Sequence, residues 1–192
     1  MANRCQWSRD DPLYQKYHDT EWGAPSYDDQ TLFEFLILEG AQAGLSWITV
    51  LRKREAYRKL FDNFEPKKIA HYSDKKLDKI LLDPSIIRNR LKIYSVRQNS
   101  KAFLTLKKEE SSFANYIWDF VDGKPIQNHC KTLKQVPAAT PLSNKISKEL
   151  KRRGFNFIGP TIIYAFMQAI GMVNDHIVGC FRHEECKRLS AN

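Results

Sequence analysis

The sequence predicts an all-α fold, and three observations support that class. Apolar residues recur at three- and four-residue spacing, capping residues and prolines stand where these runs begin, and alternating strand-like runs are scarce. The chain has 192 residues, of which 42% are hydrophobic and 28% are charged. This length and composition are sufficient for one or two small domains with a buried core, and they exclude a disordered chain.

The N-terminal third is predicted to form three helices. Asp11-Pro12 opens the first helix, and Trp22-Gly23 closes it. Either Asp28 or Asp29 caps the second helix, which leads to Glu39. Ser46 caps the third, in which the apolar contacts come from Trp47, Val50, Leu51, Tyr57 and Phe61, while Arg52, Lys53 and Arg54 face solvent.

Further helices are predicted along the rest of the chain. They begin at Pro66 and Ser73, extend over about Ile86 to Leu106 and Phe113 to Phe120, and begin again at Ser143 and Pro160. Between Val121 and Pro141, glycines and prolines without periodicity predict an extended surface connection rather than a domain boundary.

The stretch from Leu38 to Trp47 places the carboxylate of Glu39 one position from the buried face of an apolar helix. A buried and unpaired carboxylate costs several kcal/mol or takes a raised pKa. A cationic or hydrogen-bond-donating ligand offsets that cost, so the stretch predicts a pocket in which Trp47 offers a stacking surface. Small residues, Gly40, Ala41, Ala43 and Gly44, are expected to leave room for the ligand. The alternative is a solvated carboxylate at a helix end.

The charge and the second half of the chain favour nucleic acid as a partner. The 31 lysines and arginines exceed the 22 acidic residues, for a net charge of +9. A basic helix end is followed by the glycine-bounded turn Gly154–Gly159 and a new helix at Pro160-Thr161, whose first amides suit a phosphate. The preceding basic residues are Lys148, Lys151, Arg152 and Arg153. The alternative is an ordinary connection with a basic, solvated surface.

Cysteine and histidine spacing predicts a metal site. His176 and Cys180 stand four residues apart in a segment predicted to be helical, and Cys5 with His18 is the best remaining pair. Four such ligands leave no open position for water, so the metal would be structural. A local cluster of Cys180, His183 and Cys186, or no metal at all, stays open on spacing alone. Because neither end shows a signal peptide or an apolar span, we expect a cytoplasmic protein without membrane contact.

Four motifs together resemble the 3-methyladenine DNA glycosylase I family of the helix-hairpin-helix superfamily. They are Tyr-His-Asp-Thr-Glu-Trp-Gly (17–23), Leu-Glu-Gly-Ala-Gln-Ala-Gly-Leu-Ser-Trp (38–47), Lys-Arg-Arg-Gly-Phe-Asn-Phe-Ile-Gly (151–159) and Phe-Met-Gln-Ala-Ile-Gly-Met-Val-Asn-Asp-His (166–176). The resemblance extends from Cys5 to about Cys180. It implies one compact unit over residues 1–192 with two helical lobes, and a hairpin at about 148–172 in the lobe that binds DNA.

The resemblance also implies roles for individual residues. One structural Zn²⁺ per chain would be bound by Cys5, His18, His176 and Cys180, joining the two ends of the chain. Glu39 would be the catalytic residue, acting through recognition of the methylated base beside Tyr17 and Trp47. The DNA contacts would come from Lys151, Arg152, Arg153, Gly154, Gly159 and Thr161.

The implied reaction is hydrolysis of the N-glycosidic bond of 3-methyladenine in double-stranded DNA, with free 3-methyladenine and an abasic site as products. N3-methylation makes the base cationic, so it leaves readily and attracts aromatic faces. Asn174 stands where many relatives carry a catalytic aspartate, and Thr161 where bifunctional relatives carry a lyase lysine. We therefore expect a monomeric, monofunctional hydrolase. The alternatives are a non-catalytic, zinc-stapled module that binds damaged DNA, and a zinc hydrolase with an open metal position.

Overall fold

The computed structural model describes residues 3–8 and 10–190, and most of them are helical. The helices are α1 (Pro12–Thr20), α2 (Asp29–Gln42), α3 (Trp47–Leu51), α4 (Arg54–Leu60), α5 (Pro66–Ile69), α6 (Asp74–Leu81), α7 (Arg90–Glu110), α8 (Phe113–Trp118), α9 (Pro141–Arg152), α10 (Pro160–Ala169) and α11 (Phe181–Leu189). Short 3₁₀ turns lie at Gln6–Ser8, Asp62–Phe64, Asp119–Val121 and Leu133–Gln135. Strands β1 (Ile126–Gln127) and β2 (Val173–Asn174) pair in parallel. The predicted all-α class is confirmed in this coarse form.

Helix α2 lies at the centre of the core. It contacts α3, α7, α8 and α10, and every residue from 32 to 41 is buried. A helix that is apolar on nearly all sides has to be enclosed by other elements, because no face of it is suited to water. The enclosure brings Glu39 into the interior, so the alternative of a solvated helix end is wrong.

Local capping signals place several helices as predicted. The side chain of Asp11 accepts hydrogen bonds from the amides of the first turn of α1, and Asp28 does the same for α2. Two starts are corrected. Asn89, rather than the region of Ile86, caps α7, and Thr140 caps α9 with Pro141 in its first turn. In α9, Ser143 completes a reciprocal capping box with Thr140, so it is the third helical residue and not the cap.

The single helix predicted from Ser46 to Phe61 is wrong, because the chain turns between α3 and α4. The turn directs Arg54 inward, contrary to the expectation that it faces solvent. The Arg54 guanidinium contacts the carboxylates of Glu34 at 2.5 Å and Glu21 at 2.6 Å. Its positive charge therefore neutralises two acids beside the core, which local periodicity does not reveal.

The local structure before α11 differs most from the sequence prediction. The spacing of His176 and Cys180 predicts a helical segment, but both residues lie in irregular chain after strand β2, and α11 begins only at Phe181. Strand β2 pairs with β1 from the 121–141 connection, which ties that connection to the core side of the protein. Among the described residues, no helix combines the length and apolar character needed to cross a membrane.

Candidate active site and metal centre

A cavity of about 260 Å³ lies at the C-terminal end of α2. The chain contributes to it from widely separated segments, namely the N-terminal turn, α1, α2, α3, α10 and the 121–141 connection. The lining residues are Trp7, Tyr14, Tyr17, Trp22, Glu39, Gln42, Trp47, Leu133, Val136, Ala165, Gln168 and Asp175. The three residues assigned to base recognition, Tyr17, Glu39 and Trp47, are all among them.

Three polar atoms that face this cavity are buried and find no hydrogen-bond partner within the described part of the chain. They are the Tyr17 hydroxyl, Glu39 Oε2 and Trp47 Nε1. Buried polar atoms in folded proteins are nearly always paired, since an unpaired one costs about 1–3 kcal/mol. Three orphaned atoms converging on one cavity therefore indicate a ligand that supplies donors and an acceptor.

Burial raises the pKa of Glu39 to about 8. The residue is only 3% exposed, so its carboxyl group loses the water that stabilises the ionised form. Burial, and next the nearby Glu39, also raises the pKa of the Tyr17 hydroxyl well above its ordinary value. A cation or a hydrogen-bond donor in the cavity favours the ionised form of Glu39, so ligand binding and proton release are linked at this site.

Aromatic rings form most of the walls. The rings of Tyr17 and Trp47 lie 5.4 Å apart at 43°, and Trp7 and Trp22 lie 5.0 Å apart at 78°. A cation held over such faces gains about 0.5–2 kcal/mol, the larger value when it is shielded from water. The cavity thus combines a desolvated carboxylate with π surfaces, an arrangement suited to a flat, positively charged heterocycle.

Several lining residues were not predicted from sequence. Trp22 was interpreted as a helix end, and Leu133 and Val136 belong to the connection described as surface. Trp22 lies in the 17–23 motif, whereas the sequence signal at Leu133 and Val136 is their apolar character in an otherwise polar segment. The small residues assigned to the pocket are corrected: none of them lines the cavity as described, and a Cβ on Gly40 would lie 3.2 Å from the carbonyl oxygen of Phe157. Gly40 thus gives room to the hairpin, not to a ligand.

Asp175 is the second carboxylate of the cavity, and unlike Glu39 it is fully hydrogen-bonded. It accepts from Asn128 Nδ2 at 2.6 Å, from the Tyr164 hydroxyl at 2.7 Å and from Gln168 Nε2 at 2.7 Å. The neighbouring Asn174 donates to Gln127 and to the carbonyl of His183. Its side chain supports the C-terminal region and is not part of the cavity lining described above.

Cys5, His18, His176 and Cys180 form a closed cluster beside the cavity. All four are buried, and their potential ligand atoms lie within 4.8 Å of one another. Cys180 Sγ is 3.4 Å from His18 Nε2 and 3.7 Å from His176 Nδ1, and Cys5 Sγ is 3.7 Å from His176 Nδ1. Among the described residues this is the one group of three or more such side chains with metal-binding geometry.

The structure thus brings Cys5 and His18 together with His176 and Cys180, as predicted, although His176 and Cys180 do not lie on one helix. The turn after β2 brings His176 and Cys180 together in place of the predicted helical spacing. The competing local cluster does not form: His183 Nε2 bonds the carbonyl of Asn128 at 2.9 Å, and burial raises the pKa of the Cys186 thiol to about 11. A thiol with a raised pKa is a poor metal ligand.

The surroundings of the cluster suit a metal. His18 Nδ1 lies 2.8 Å from Asp19, and His176 Nε2 lies 2.9 Å from the carbonyl oxygen of Trp22. Metal-binding histidines commonly donate their second N–H to a carboxylate or a carbonyl in this way. Hydrogen bonds from Cys5, His176 and His18 lower the pKa of Cys180, which favours the thiolate that metals bind.

The hairpin between α9 and α10 carries the basic residues predicted to contact DNA. Gly154 has φ +90°, and within the described chain no side chain caps the N-terminus of α10 at Gly159. Lys151, Arg152 and Thr161 are exposed. The side chains of these three residues are therefore accessible at the two ends of the turn that joins α9 to α10.

Arg153 is less exposed than its basic neighbour: its side chain is 16% exposed, whereas the side chain of Arg152, which pairs with Glu149 at 2.8 Å, is 67% exposed. Its guanidinium donates to Glu109 at 2.6 Å, to Glu110 and to the Tyr116 hydroxyl at 3.1 Å. These contacts attach the hairpin to the end of α7 and neutralise the charge. The geometry favours a structural contribution from Arg153 over a free phosphate contact.

Comparison with known proteins agrees with this geometry. The family model described as "Methyladenine glycosylase" matches residues 7–183. DNA-3-methyladenine glycosylase 1 of Escherichia coli K12 is 48% identical over 177 residues, which are 92% of this chain and 95% of the relative. A crystal structure of 3-methyladenine DNA glycosylase I superposes with a TM-score of 0.91 at 50% identity, covering 93% of this chain and 98% of the other.

A second solved structure contains a ligand. It is a tyrosine-to-phenylalanine variant of 3-methyladenine DNA glycosylase I in complex with 3-methyladenine, with a TM-score of 0.90 at 34% identity, covering 93% of this chain and 96% of the other. The sequence motifs, the helical fold, the aromatic cavity with its buried carboxylate and these matches agree. The chain belongs to the methyladenine glycosylase family.

Proposed function

We propose that this chain is a DNA repair hydrolase that excises 3-methyladenine from alkylated DNA, releasing the free base and leaving an abasic site. The observation that carries the proposal is the convergence of three unpartnered polar atoms, from Tyr17, Glu39 and Trp47, on one aromatic cavity. The names of the relatives, DNA-3-methyladenine glycosylases, and the 3-methyladenine in one matched structure support the same substrate.

The base is recognised by charge and hydrogen bonding. Methylation at N3 gives the adenine of the nucleotide a positive charge, which the faces of Tyr17 and Trp47 attract. Glu39 Oε2 accepts from the exocyclic amine, a charge-assisted bond that is stronger than a neutral one. An unmethylated adenine lacks the positive charge and gains less from both interactions, so the cavity selects the damaged base.

Bond cleavage follows from the same interactions. The nucleotide leaves the base stack to enter the cavity, and water then attacks the sugar carbon as the bond to the base breaks. The cationic base takes the bonding electron pair and so leaves as neutral 3-methyladenine, while the attacking water loses one proton to solvent and becomes the hydroxyl group of the sugar. Contacts that hold the base in the cavity while the sugar becomes positively charged lower the barrier, and Glu39 is the group best placed to provide them.

We expect no strand cleavage by this enzyme. Thr161 stands at the position where bifunctional relatives carry the lysine that forms a Schiff base, so an abasic product should accumulate intact. Borohydride added during turnover should trap no covalent protein–DNA adduct, and the strand should break only after heating in alkali. A trapped adduct or spontaneous cleavage would contradict the monofunctional assignment.

The hairpin provides affinity for the DNA backbone. The uncapped N-terminus of α10 offers amides and the positive end of the helix dipole to a phosphate, and exposed Lys151 and Arg152 add charge nearby. Gly154, Gly159 and Thr161 contribute main-chain atoms to this surface. The contacts are independent of sequence, as excision of a rare lesion at any position requires.

Lys151→Gln should weaken binding to undamaged duplex DNA and reduce the slope of log affinity against log salt by about 0.9, the value for one lost phosphate contact. The measurement is a salt titration of duplex binding by fluorescence anisotropy. Lys75→Gln, on α6, is the matched control and should leave the slope unchanged. If both variants give the wild-type slope, Lys151 is not a phosphate contact.

Cys5, His18, His176 and Cys180 would hold one structural Zn²⁺. Zinc bonds of about 2.3 Å to sulfur and 2.0–2.1 Å to nitrogen at tetrahedral angles separate the two atoms by about 3.6 Å. The S–N distances of 3.4 and 3.7 Å in the cluster match this value. Four protein ligands complete the tetrahedral shell, which argues against a zinc hydrolase and for a clip between the chain ends.

The discriminating experiment is base release from duplex DNA methylated with a simple alkylating agent. The enzyme should release 3-methyladenine, identified by chromatography, and generate an equal number of abasic sites. A non-catalytic module would bind the same DNA in a salt-dependent manner and release nothing. A monomeric state and a cytoplasmic location stay predictions.

A further inference from the structure

The turn formed by residues 42–45 connects α2, which carries Glu39, to α3, which carries Trp47. Leu45 N bonds the carbonyl oxygen of Gln42 at 2.6 Å, Ala43 has φ −43° and ψ 116°, and Gly44 has φ +79°. These values describe a type II turn, in which the central carbonyl, here that of Ala43, points away from the side it would occupy in a type I turn. Glu39 precedes the turn, Gln42 is its first residue, and Trp47 follows it.

A buried cation holds that carbonyl. Lys92, on α7, is 9% exposed, and its Nζ lies 2.6 Å from the carbonyl oxygen of Ala43 and 2.9 Å from that of Ala41. The last carbonyls of a helix lack partners within the helix and carry the negative end of its dipole. One ammonium therefore satisfies the end of α2 and fixes the orientation of the turn at the same time.

We propose that Lys92 is a positioning residue for base recognition, because its ammonium sets the turn that spaces Glu39 from Trp47 across the cavity. Lys92 is absent from the cavity lining as described, so it acts through the backbone alone. Without it, the Ala43 carbonyl loses its charged partner and the turn can adopt other orientations, which displaces the Trp47 face relative to the Glu39 carboxylate. The proposal rests on the base site described above.

The test is a titration of each variant with free 3-methyladenine, in which tryptophan fluorescence reports binding. Circular dichroism first shows that the variants are folded. Lys92→Met should weaken binding roughly tenfold, because ångström-scale misplacement of recognition groups costs up to about 100-fold. Lys92→Arg keeps the charge and should restore most of the affinity.

Two further variants separate positioning from general stability. Gly44→Ala should also weaken binding, because φ +79° disfavours a side chain, although no described atom lies within 4 Å of the added Cβ. Asn99→Ala is the control: Asn99 lies two helical turns from Lys92 on α7 and is 2% exposed, but it bonds the backbone of Asn156 in the hairpin. It should lower thermal stability and leave base affinity unchanged.

The double variant Lys92→Met/Gly44→Ala decides whether the two residues act on one turn. Its loss of affinity should be smaller than the product of the two single losses, since a turn already released cannot be released again. Wild-type affinity in folded Lys92→Met, or a double variant equal to that product, would overturn the proposal. A wild-type chain that fails to bind the free base would instead contradict the proposed function.

Discussion

Glu39→Gln should lower the single-turnover rate of 3-methyladenine release about 100-fold. The substitution keeps the shape of the side chain but replaces a charge-assisted hydrogen bond to the base with a neutral one and removes the attraction to its positive charge. A loss of about 3 kcal/mol in stabilisation of the departing base corresponds to that factor. The measurement is base release from methylated duplex under enzyme excess.

The same substitution should stabilise the free protein in alkaline buffer. The unfolded chain ionises Glu39 near its ordinary pKa of 4.5, whereas the native protein retains the proton up to about pH 8. The native state therefore binds more protons in this window, and the free energy of unfolding falls as the pH rises through it. Glu39→Gln removes that fall, which is on the order of 5 kcal/mol for a shift of this size.

The opposite signs of these two effects make the prediction specific. Denaturant unfolding at pH 5 and pH 9 should show the wild type losing stability relative to Glu39→Gln only at the higher pH. Glu55→Gln is the matched control: the Glu55 side chain is 81% exposed, so the substitution should change neither activity nor this pH dependence. A variant that is both less active and less stable at pH 9 would indicate that Glu39 has a structural partner instead.

Cys180→Ser should have the largest effect on stability. The four-ligand cluster connects residue 5 to residue 180 and so closes nearly the whole chain into a loop. Losing one ligand should release the metal and lower the free energy of unfolding by about 3–5 kcal/mol, comparable to loss of a disulfide in a small protein. The zinc content measured by elemental analysis should fall from one ion per chain to near zero, and the melting temperature should fall as well.

Cys186→Ser provides the control, because Cys186 is equally buried but lies outside the cluster. It should retain one zinc per chain. Residual folded Cys180→Ser should bind free 3-methyladenine with nearly normal affinity, since no ligand of the cluster lines the base cavity. Full stability after complete metal removal from the wild type would contradict the structural role.

Features with local causes were predictable from sequence. Asp11 and Asp28 cap their helices through bonds to amides two or three residues away, so the signal and its effect lie in one short segment. The apolar run favoured a buried Glu39, although a solvated helix end stayed open, and the family resemblance identified Tyr17 beside Trp47. These residues needed no knowledge of how distant segments pack.

Features that depend on tertiary packing were missed. Arg54 has the periodicity of a surface residue, but Glu21 and Glu34 direct it inward from other helices. The segment before Cys180 has helical spacing, but pairing of β2 with the 121–141 connection prevents the helix. Leu133, from the same connection, lines the cavity, and only the folded structure shows that the connection and the cavity are adjacent.

The central claim is that the unpaired polar atoms of Tyr17, Glu39 and Trp47 form hydrogen bonds with the damaged base when it binds. A crystal structure of the chain with free 3-methyladenine tests it most directly. The base should lie in the cavity against the rings of Tyr17 and Trp47, with Glu39 Oε2 within about 3 Å of a base nitrogen that donates to it. A base bound elsewhere, or bound in the cavity with Glu39 Oε2 still unpaired, would contradict the account.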